Sequence, residues 1–397
     1  MTVSTIIHAR YALSTRSLSQ ARSQRRRHNC GCVHDTRPGT KVAALQLATP
    51  VSIVQAWKQY GGEVIPRVSF TDIERGLSNA QKDHIKKSGV VVVTGAVPKE
   101  EALRWKVSLK EYITANPVKA PQFWHDPSNK RVSFSTPISY LDRLRIRTPG
   151  DSSFTLDPHI DGGSIERWED PTFRRVFRRI LAGGRDLYNA PGQCSVLRCW
   201  QGWTSLSTTG VGEGTLRVLP MLSLATAYIM LRPFFRPSGP SGGEWELDLE
   251  SSLFPGSIPG KGQELNEETH PHLKLGETMT SIPEIQPGDQ VYWHCDTVHS
   301  VEKLHGGQKD SSVFYIPAVP LTVKNASYIR DQRINFVHGL PAPDFPGGSG
   351  ESTFAGRATA QDVTTSQGRR ALGFEPFLSE GIENNELVNA ANRVLFG

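Results

Sequence analysis

The pattern of hydrophobic and polar positions first predicts a short helix followed by a buried strand. Ser78 and Gln81 match a capping box, which predicts the start of a helix, and Gly89 is suited to end it. Four consecutive valines, residues 90–93, then predict a buried strand, because β-branched runs without interruption are typical of strands inside a core.

A second helix is predicted after Pro98. Its apolar residues recur at helical spacing and therefore share one face. They are Ala102, Trp105, Leu109, Tyr112 and Ile113. Together with the preceding elements, this helix indicates an α/β lead-in over residues 45–118.

Residues 151–325 alternate short strand-like runs with turns rich in glycine and proline. The chain contains 36 Gly and 27 Pro in 397 residues, so loops are abundant. We expect one amphipathic helix to interrupt this block over residues 170–183, a final helix over about 380–395, and irregular structure over 119–150. This organisation is typical of a mainly β enzyme with added helices rather than of a helical bundle.

Positive charge is concentrated at the N-terminus. The net charge is +6, and residues 1–34 hold six arginines and no acidic residue. The rest of the chain is near neutral and carries no nucleic-acid-binding motif, so we expect no nucleic-acid partner. An arginine-rich, serine-rich and acid-poor segment is typical of an organellar transit peptide, and residues 1–44 are interpreted as a targeting arm or a disordered extension.

The compartment follows from cysteine usage and hydropathy. Five cysteines at irregular spacing give no disulfide framework, which favours a reducing compartment. No apolar stretch is long enough to span a membrane, so no membrane partner is expected. We expect a cytoplasmic protein, with a mitochondrial location as the alternative. The oligomeric state is not readable from the sequence.

Two histidines and one aspartate form the strongest chemical signal. His159 and Asp161 make an H-x-D pair, and side chains two apart on a strand point the same way. His299 ends a distant run that begins with a P-G-D turn at residues 287–289. A non-haem Fe(II) oxygenase needs two imidazoles and one carboxylate on one face of the metal. The sequence therefore predicts that these three residues bind iron and carry catalysis.

An H-x-D pair alone is weak evidence, because such pairs arise by chance. A second one is present at His294 and Asp296, and a single histidine is more often a hydrogen-bonded structural residue. Context favours the first pair, since Gly162 and Gly163 follow Asp161 and allow the chain to turn away from the ligand positions.

The motifs around this triad resemble the phytanoyl-CoA-hydroxylase-like branch of the 2-oxoglutarate-dependent dioxygenases. More closely, the chain is similar to a bacterial and fungal family within this group that is catalogued as a domain of unknown function. The resemblance covers roughly residues 60–375. The stretches that carry it are HIDGGSIERWEDP (159–171), QGWTSLS (201–207), GEGTLRVLP (212–220), the run 287–299 and SSVFYIPAVPLT (311–322).

The resemblance implies a double-stranded β-helix, a cupin-like jelly roll, with its core at about residues 151–325. It implies a dioxygenase-like domain over residues 45–375, followed by a C-terminal helix within 376–397. The implied cofactors are Fe(II), 2-oxoglutarate and O₂, and the implied reaction hydroxylates a small-molecule substrate while 2-oxoglutarate becomes succinate and CO₂. Because Asp161 is retained, hydroxylation or desaturation is favoured over halogenation.

One part of the family pattern is missing. The branch usually places an arginine about ten residues beyond the distal histidine, where its planar fork pairs with the far carboxylate of 2-oxoglutarate. Residues 304–312 contain no arginine. Lys309 with Ser311 imitates the usual R-x-S pair, and the alternative is that Lys309 lies in a solvated loop beside Asp310.

Three further residues are candidates for binding the cosubstrate. Arg198 and Arg217 fall in predicted strands, where a guanidinium must face solvent or meet an acid. Gln201 lies in a strand that is expected to line the cavity and is a candidate for a polar contact.

Three functions remain open on the sequence alone. The first is an active Fe(II)- and 2-oxoglutarate-dependent hydroxylase. The second is a cupin-type metal enzyme that does not use 2-oxoglutarate, which the missing arginine motivates. The third is a non-catalytic binding protein, against which the intact triad argues. The fold cannot choose among them.

Overall fold

The structure is a computed structural model that describes most of the chain beyond residue 63. The described ranges are 64–116, 138–140, 144–169, 194–198, 200–238, 244–259, 261–345, 347, 350–378 and 385–397. The predicted arm at 1–44, the predicted helix at 170–183 and most of residues 119–150 therefore lie outside the described part of the chain.

The described residues form thirteen strands and nine α-helices. The strands are β1 Arg67–Ser69, β2 Val90–Thr94, β3 Leu144–Arg147, β4 Leu156–Ile160, β5 Trp200–Ser205, β6 Leu216–Val218, β7 Phe235–Ser238, β8 Glu244–Leu247, β9 Gln263–Glu264, β10 Thr280–Ser281, β11 Gln290–His294, β12 His299–Val301 and β13 Ser311–Tyr315. The helices are α1 Phe70–Arg75, α2 Asn79–Ser88, α3 Lys99–Ala115, α4 Glu166–Glu169, α5 Leu222–Leu231, α6 Leu275–Thr278, α7 Val323–His338, α8 Ser366–Ala371 and α9 Asn385–Phe396. None of the described helices is long and apolar enough to cross a membrane.

Two main sheets organise these strands. A six-stranded sheet has the order β1-β2-β11-β5-β13-β3, and a five-stranded sheet has the order β10-β6-β12-β4-β9. Every pairing in them is antiparallel except β1 with β2. The largest core cluster takes Trp203, Val291 and Val313 from the first sheet and Ile160 and Val218 from the second. The two sheets therefore pack face to face.

The lead-in is part of the larger sheet. Residues Val90 to Val93 are completely buried, as the valine run predicts, and they pair with β11. The capping box of Ser78 and Gln81 starts α2, and Gly89 ends it in the left-handed conformation. The predicted start and end of this helix are therefore confirmed. The helix after Pro98 is α3, which covers the outer face of the same sheet near β3.

Two local predictions differ from the structure, and one helix was missed. Residues 144–147 form strand β3 within the segment expected to be irregular. Arg198 precedes β5 and is not in a strand. Helix α5 was not predicted because its sequence is apolar all round and gives no amphipathic period, although it packs against α2.

The P-G-D turn before β11 is held by its aspartate. Gly288 has a positive φ of 93°, and a Cβ there would lie 2.1 Å from the carbonyl oxygen of Val97. The Asp289 carboxylate accepts hydrogen bonds from the backbone N–H groups of Gly95 and Gln286 at 2.9 and 3.0 Å. The side chain thus fixes the loop after β2 against the turn that leads into β11.

We predict that Asp289→Ala lowers the free energy of unfolding by roughly 2–3 kcal/mol, because two partly buried backbone N–H groups lose a charged acceptor. Urea denaturation measures this change. Asp83→Ala is the control, since Asp83 is 66% exposed and pairs with Lys86 only at 3.9 Å. Equal effects of the two substitutions would contradict the role given to Asp289.

Candidate metal centre

Pairing of β4 with β12 brings the sequence-predicted triad together. His159 lies directly opposite His299 in this antiparallel pair, and Asp161 comes immediately after β4, two residues beyond His159. One ligand atom from each of the three side chains lies within 4.8 Å of the other two. The Nε2 atoms of His159 and His299 lie 3.6 and 3.4 Å from oxygens of Asp161.

Each histidine is oriented by the carbonyl two residues before it. His159 Nδ1 lies 2.6 Å from the oxygen of Asp157, and His299 Nδ1 lies 2.9 Å from the oxygen of Thr297. A carbonyl oxygen only accepts hydrogen bonds, so each Nδ1 carries the proton and each Nε2 presents a lone pair. Metal-binding histidines are held in the same way, by a hydrogen bond from the other ring nitrogen.

The electrostatics of the cluster favour the protonation states of metal ligands. Burial, followed by the neighbouring His299, lowers the pKa of His159. Burial alone would raise the pKa of Asp161, but the neighbouring His299, followed by His159 and Arg198, holds that pKa well below its usual range. The cluster therefore combines a neutral imidazole at His159 with an ionised carboxylate near neutral pH.

The cluster is open on one side. The side chain of Asp161 is 35% exposed, whereas that of His299 is 5% exposed. Behind it, the Trp293 ring lies 5.5 Å from the His299 ring, centroid to centroid. Gln201, which pairs with Trp293 across the sheet, donates from Nε2 to Asp161 Oδ2 at 2.6 Å. This hydrogen bond fixes the rotamer of the carboxylate.

A buried ion pair joins the two segments that carry the triad. Arg167 Nη2 donates to Asp296 Oδ1 at 2.7 Å and to the carbonyl of Gly163 at 3.2 Å. Gly162 N–H donates to the carbonyl of Cys295 at 2.8 Å. A Cβ on Gly162 would lie 2.1 Å from Asp296 Oδ1, so only glycine allows this close approach.

The second H-x-D pair, His294 and Asp296, differs from the first in the hydrogen bonds of its histidine ring and its carboxylate. His294 Nδ1 accepts a hydrogen bond from the backbone N–H of Asp296 at 3.1 Å, so in the neutral imidazole the proton is on Nε2. The Asp296 carboxylate is engaged by Arg167. Although His294, Cys295 and Asp296 lie close enough to hold an ion, these hydrogen bonds give the group a structural role.

The residues predicted to bind the cosubstrate are not all brought to the triad. Gln201 contacts Asp161 directly. Arg198 is half-buried, its guanidinium lies 5.6 Å from the centre of the Tyr140 ring, and its charge contributes to the lowered pKa of Asp161. By contrast, the contacts of Arg217, Lys309 and Ser311 are made to residues outside the triad.

Arg217 pairs with Ser300, the neighbour of His299, and so belongs to the opposite face of the five-stranded sheet. It donates to the carbonyl of Met279 at 3.0 Å. Lys309 is exposed in the loop before β13, and its carbonyl accepts a hydrogen bond from His305. Ser311 is buried, with its hydroxyl 3.3 Å from that of Thr209.

Sequence reasoning missed the pair of Arg167 and Asp296. An arginine inside the motif that follows the H-x-D pair was a signal, but its partner lies 129 residues away. Only the pairing of β4 with β12 shows that the two charges meet.

The donor set fits a divalent transition metal, since two neutral imidazole nitrogens and one carboxylate suit such an ion and the hydrogen bonds leave those atoms available. The described part of the chain thus defines a mixed sheet and helix protein with several antiparallel pairings and a candidate His₂–Asp metal centre. The chain belongs to the Gig2-like family, whose profile matches residues 18–122 and 118–374.

Relatives cover most of the chain. It is 31% identical over 393 residues to the protein YbiU of Escherichia coli K12, covering 83% of this chain and 90% of the relative. The crystal structure of GlcNAc Inducible Gene 2 from Candida albicans superposes with a TM-score of 0.77 at 28% identity, covering 89% and 90% of the two chains. A Salmonella typhimurium LT2 protein, described as a candidate oxidoreductase, superposes with a TM-score of 0.65 at 29% identity, covering 83% and 91%.

We predict that Arg167→Met lowers the free energy of unfolding by about 3–5 kcal/mol, because it leaves the Asp296 carboxylate buried without its cation. Chemical denaturation of the two proteins measures this. The control is Arg236→Met, which removes an exposed ion pair of similar length, 2.8 Å to Glu246 against 2.7 Å for the buried pair, and should cost less than about 1 kcal/mol. A loss no larger than that of the control would show that the buried pair does not hold the site together.

Proposed function

We propose that this protein is a non-haem Fe(II)- and 2-oxoglutarate-dependent oxygenase that hydroxylates a small molecule. The observation that carries the proposal is the cluster of His159, Asp161 and His299, with two Nε2 lone pairs and one carboxylate directed at a common point. Two imidazoles and one carboxylate with open positions beside them are typical of non-haem Fe(II) oxygenases.

The strand order supports a double-stranded β-helix. From β3 to β6, successive strands alternate between the six-stranded and the five-stranded sheet, and β11, β12 and β13 alternate in the same way. Jelly-roll and cupin folds are built from two packed sheets connected like this. In such a fold the triad would lie at the open end, where β4 ends and β12 begins.

The roles of the protein groups follow from their contacts. His159, Asp161 and His299 would hold the metal, and Gln201 keeps the carboxylate of Asp161 in place by its 2.6 Å hydrogen bond. Trp293 is buried beside His299 and forms an aromatic wall on the inner side of the site. When bound, iron with 2-oxoglutarate and O₂ would supply the oxidation, with succinate and CO₂ as products.

Two further observations support this class of reaction. The presence of Asp161 as a carboxylate favours hydroxylation or desaturation over halogenation. The Salmonella relative is described as a candidate oxidoreductase, in agreement with oxidative chemistry. We propose a small-molecule substrate because the described residues carry no feature specific for a macromolecule.

The second candidate is a cupin-type metal enzyme that does not use 2-oxoglutarate. The position of Lys309 favours it, because this exposed loop residue is the only cation in the stretch where the family usually has its arginine. Production of succinate distinguishes the two candidates.

We expect that purified protein with Fe(II), under anaerobic conditions, gives a weak visible charge-transfer band only after 2-oxoglutarate is added. His159→Ala should abolish the band, because one imidazole ligand is lost. The matched control is His338→Ala, since His338 is exposed at the end of α7 and its removal should leave the band unchanged. Bound iron without any band on addition of 2-oxoglutarate would favour the second candidate.

Acidification should release the metal, because a protonated imidazole cannot bind it. Burial lowers the pKa of His159 below its usual 6.5, so the lone pair is retained as pH falls toward that value and is lost only below it. Titration with Mn(II) at a series of pH values should therefore show constant affinity above about pH 6.5 and a steep fall below it. Affinity unchanged down to about pH 4 would count against histidine ligation.

A further inference from the structure

We propose that Arg145 binds the distal carboxylate of a five-carbon 2-oxo dicarboxylic acid. This inference rests on the function proposed above and assigns the residue that selects its cosubstrate. In this role Arg145, on strand β3, takes the place of the arginine that the family usually has about ten residues after the distal histidine. Strand β3 pairs with β13, the strand that follows this position.

Arg145 faces the interior between the two sheets. It lies on β3, whose flanking residues Leu144 and Ile146 pack with helix α3 against Ala102 and Trp105 on the outer face. Because side chains alternate along a strand, Arg145 points to the other face, toward the five-stranded sheet. It is half-buried there.

The contacts of the guanidinium agree with this direction. Its central carbon lies 5.9 Å from the centre of the Tyr315 ring, and Tyr315 packs against the core cluster shared by both sheets. Among the described residues, Arg145 makes this ring contact but no hydrogen bond or ion pair. Its guanidinium donors are therefore available to an anion that enters this interior.

The nearest charged neighbours do not fill that role. Arg147 is fully buried and donates to the carbonyls of Gly214, Glu302 and Asp151. Burial opposes ionisation of Asp151, but hydrogen bonds from Ser153, and then the charges of Arg147 and Arg145, lower the pKa of its carboxyl. This carboxylate lies 3.9 Å from Arg147 Nε and, among the described residues, forms no ion pair with Arg145. Burial, and then the positive charge of Arg145, lower the pKa of Arg147, so the two cations repel each other in this interior.

The ring contact, rather than the register of Arg145 itself, places the guanidinium near the site. Arg145 lies opposite Val313 of β13, and Val313 lies opposite Ser205 of β5, four residues from Gln201. The guanidinium lies beside the ring of Tyr315, which is two residues closer to the triad along β13 and lies opposite Trp203 of β5. Gln201, which binds Asp161, is on the same face of β5 two residues before Trp203. Two residues along a strand span about 7 Å, comparable with the length of a five-carbon dicarboxylate. A ligand that reaches the triad with its oxo acid end can therefore reach the guanidinium with its distal carboxylate.

The chemistry of the two groups is complementary. The planar fork of arginine pairs with both oxygens of a carboxylate, and a charged hydrogen bond in a partly dry interior is stronger than one in water. A monocarboxylic 2-oxo acid of the same length would leave the guanidinium without its partner. Arg145 would thus select dicarboxylic over monocarboxylic 2-oxo acids.

The test compares 2-oxoglutarate with 2-oxopentanoate, which has the same chain length but a methyl group in place of the distal carboxylate. Both are titrated anaerobically into the Fe(II)-loaded full chain, and binding is read from the visible band. We expect Arg145→Met to weaken 2-oxoglutarate binding about 10- to 100-fold and to leave 2-oxopentanoate binding unchanged. Fe(II) affinity should not change, and Arg145→Lys should restore part of the preference.

Arg236→Met, on an exposed strand, is the matched control and should keep the full preference for 2-oxoglutarate. The ratio of the two affinities is measured within each variant, so partial unfolding does not alter it. Wild-type protein that binds 2-oxoglutarate while Arg145→Met and Arg145→Lys keep the same ratio would overturn the assignment of Arg145 alone. Fe(II)-loaded wild-type protein that does not bind 2-oxoglutarate would overturn the proposed function and this inference with it.

Discussion

The antiparallel pairing of β4 with β12 is the interaction on which the site depends. It sets His159 opposite His299 and leaves Asp161 at the strand end, so that three ligand atoms meet although neither strand could supply them alone. The ion pair of Arg167 with Asp296 stabilises this strand pairing, because it joins the loop after β4 to the turn before β12. Strand register and buried charge thus act on the same few backbone segments.

Hydrogen bonding distinguishes two sequence motifs that look alike. His159 and His299 direct Nδ1 at backbone carbonyls and present Nε2 to the cluster, whereas His294 accepts a backbone N–H at Nδ1. The spacing of residues in an H-x-D pair is therefore less informative than the partner of the second ring nitrogen. That partner is decided by the turn in which each histidine sits.

The sequence predicted the elements whose signals are local. The capping box of Ser78, the buried valine run and the H-x-D pair each depend on residues within a few positions of one another. Helix α5 was missed because a segment buried on all sides shows no period, and Arg198 was placed in a strand that begins only at Trp200. Arg145 could not be singled out, because its direction depends on the pairing of β3 with β13 across a long stretch of chain.

The alternation of strands between sheets has a consequence for how the protein matures. His159 and His299 are roughly 140 residues apart, so the chain must close a long loop before the triad exists. Folds dominated by such distant contacts form slowly compared with helical bundles. A chain emerging from the ribosome would carry the H-x-D pair long before the second histidine, and its candidate metal site would still be incomplete. Metal uptake would then mark the completion of folding rather than direct its early steps.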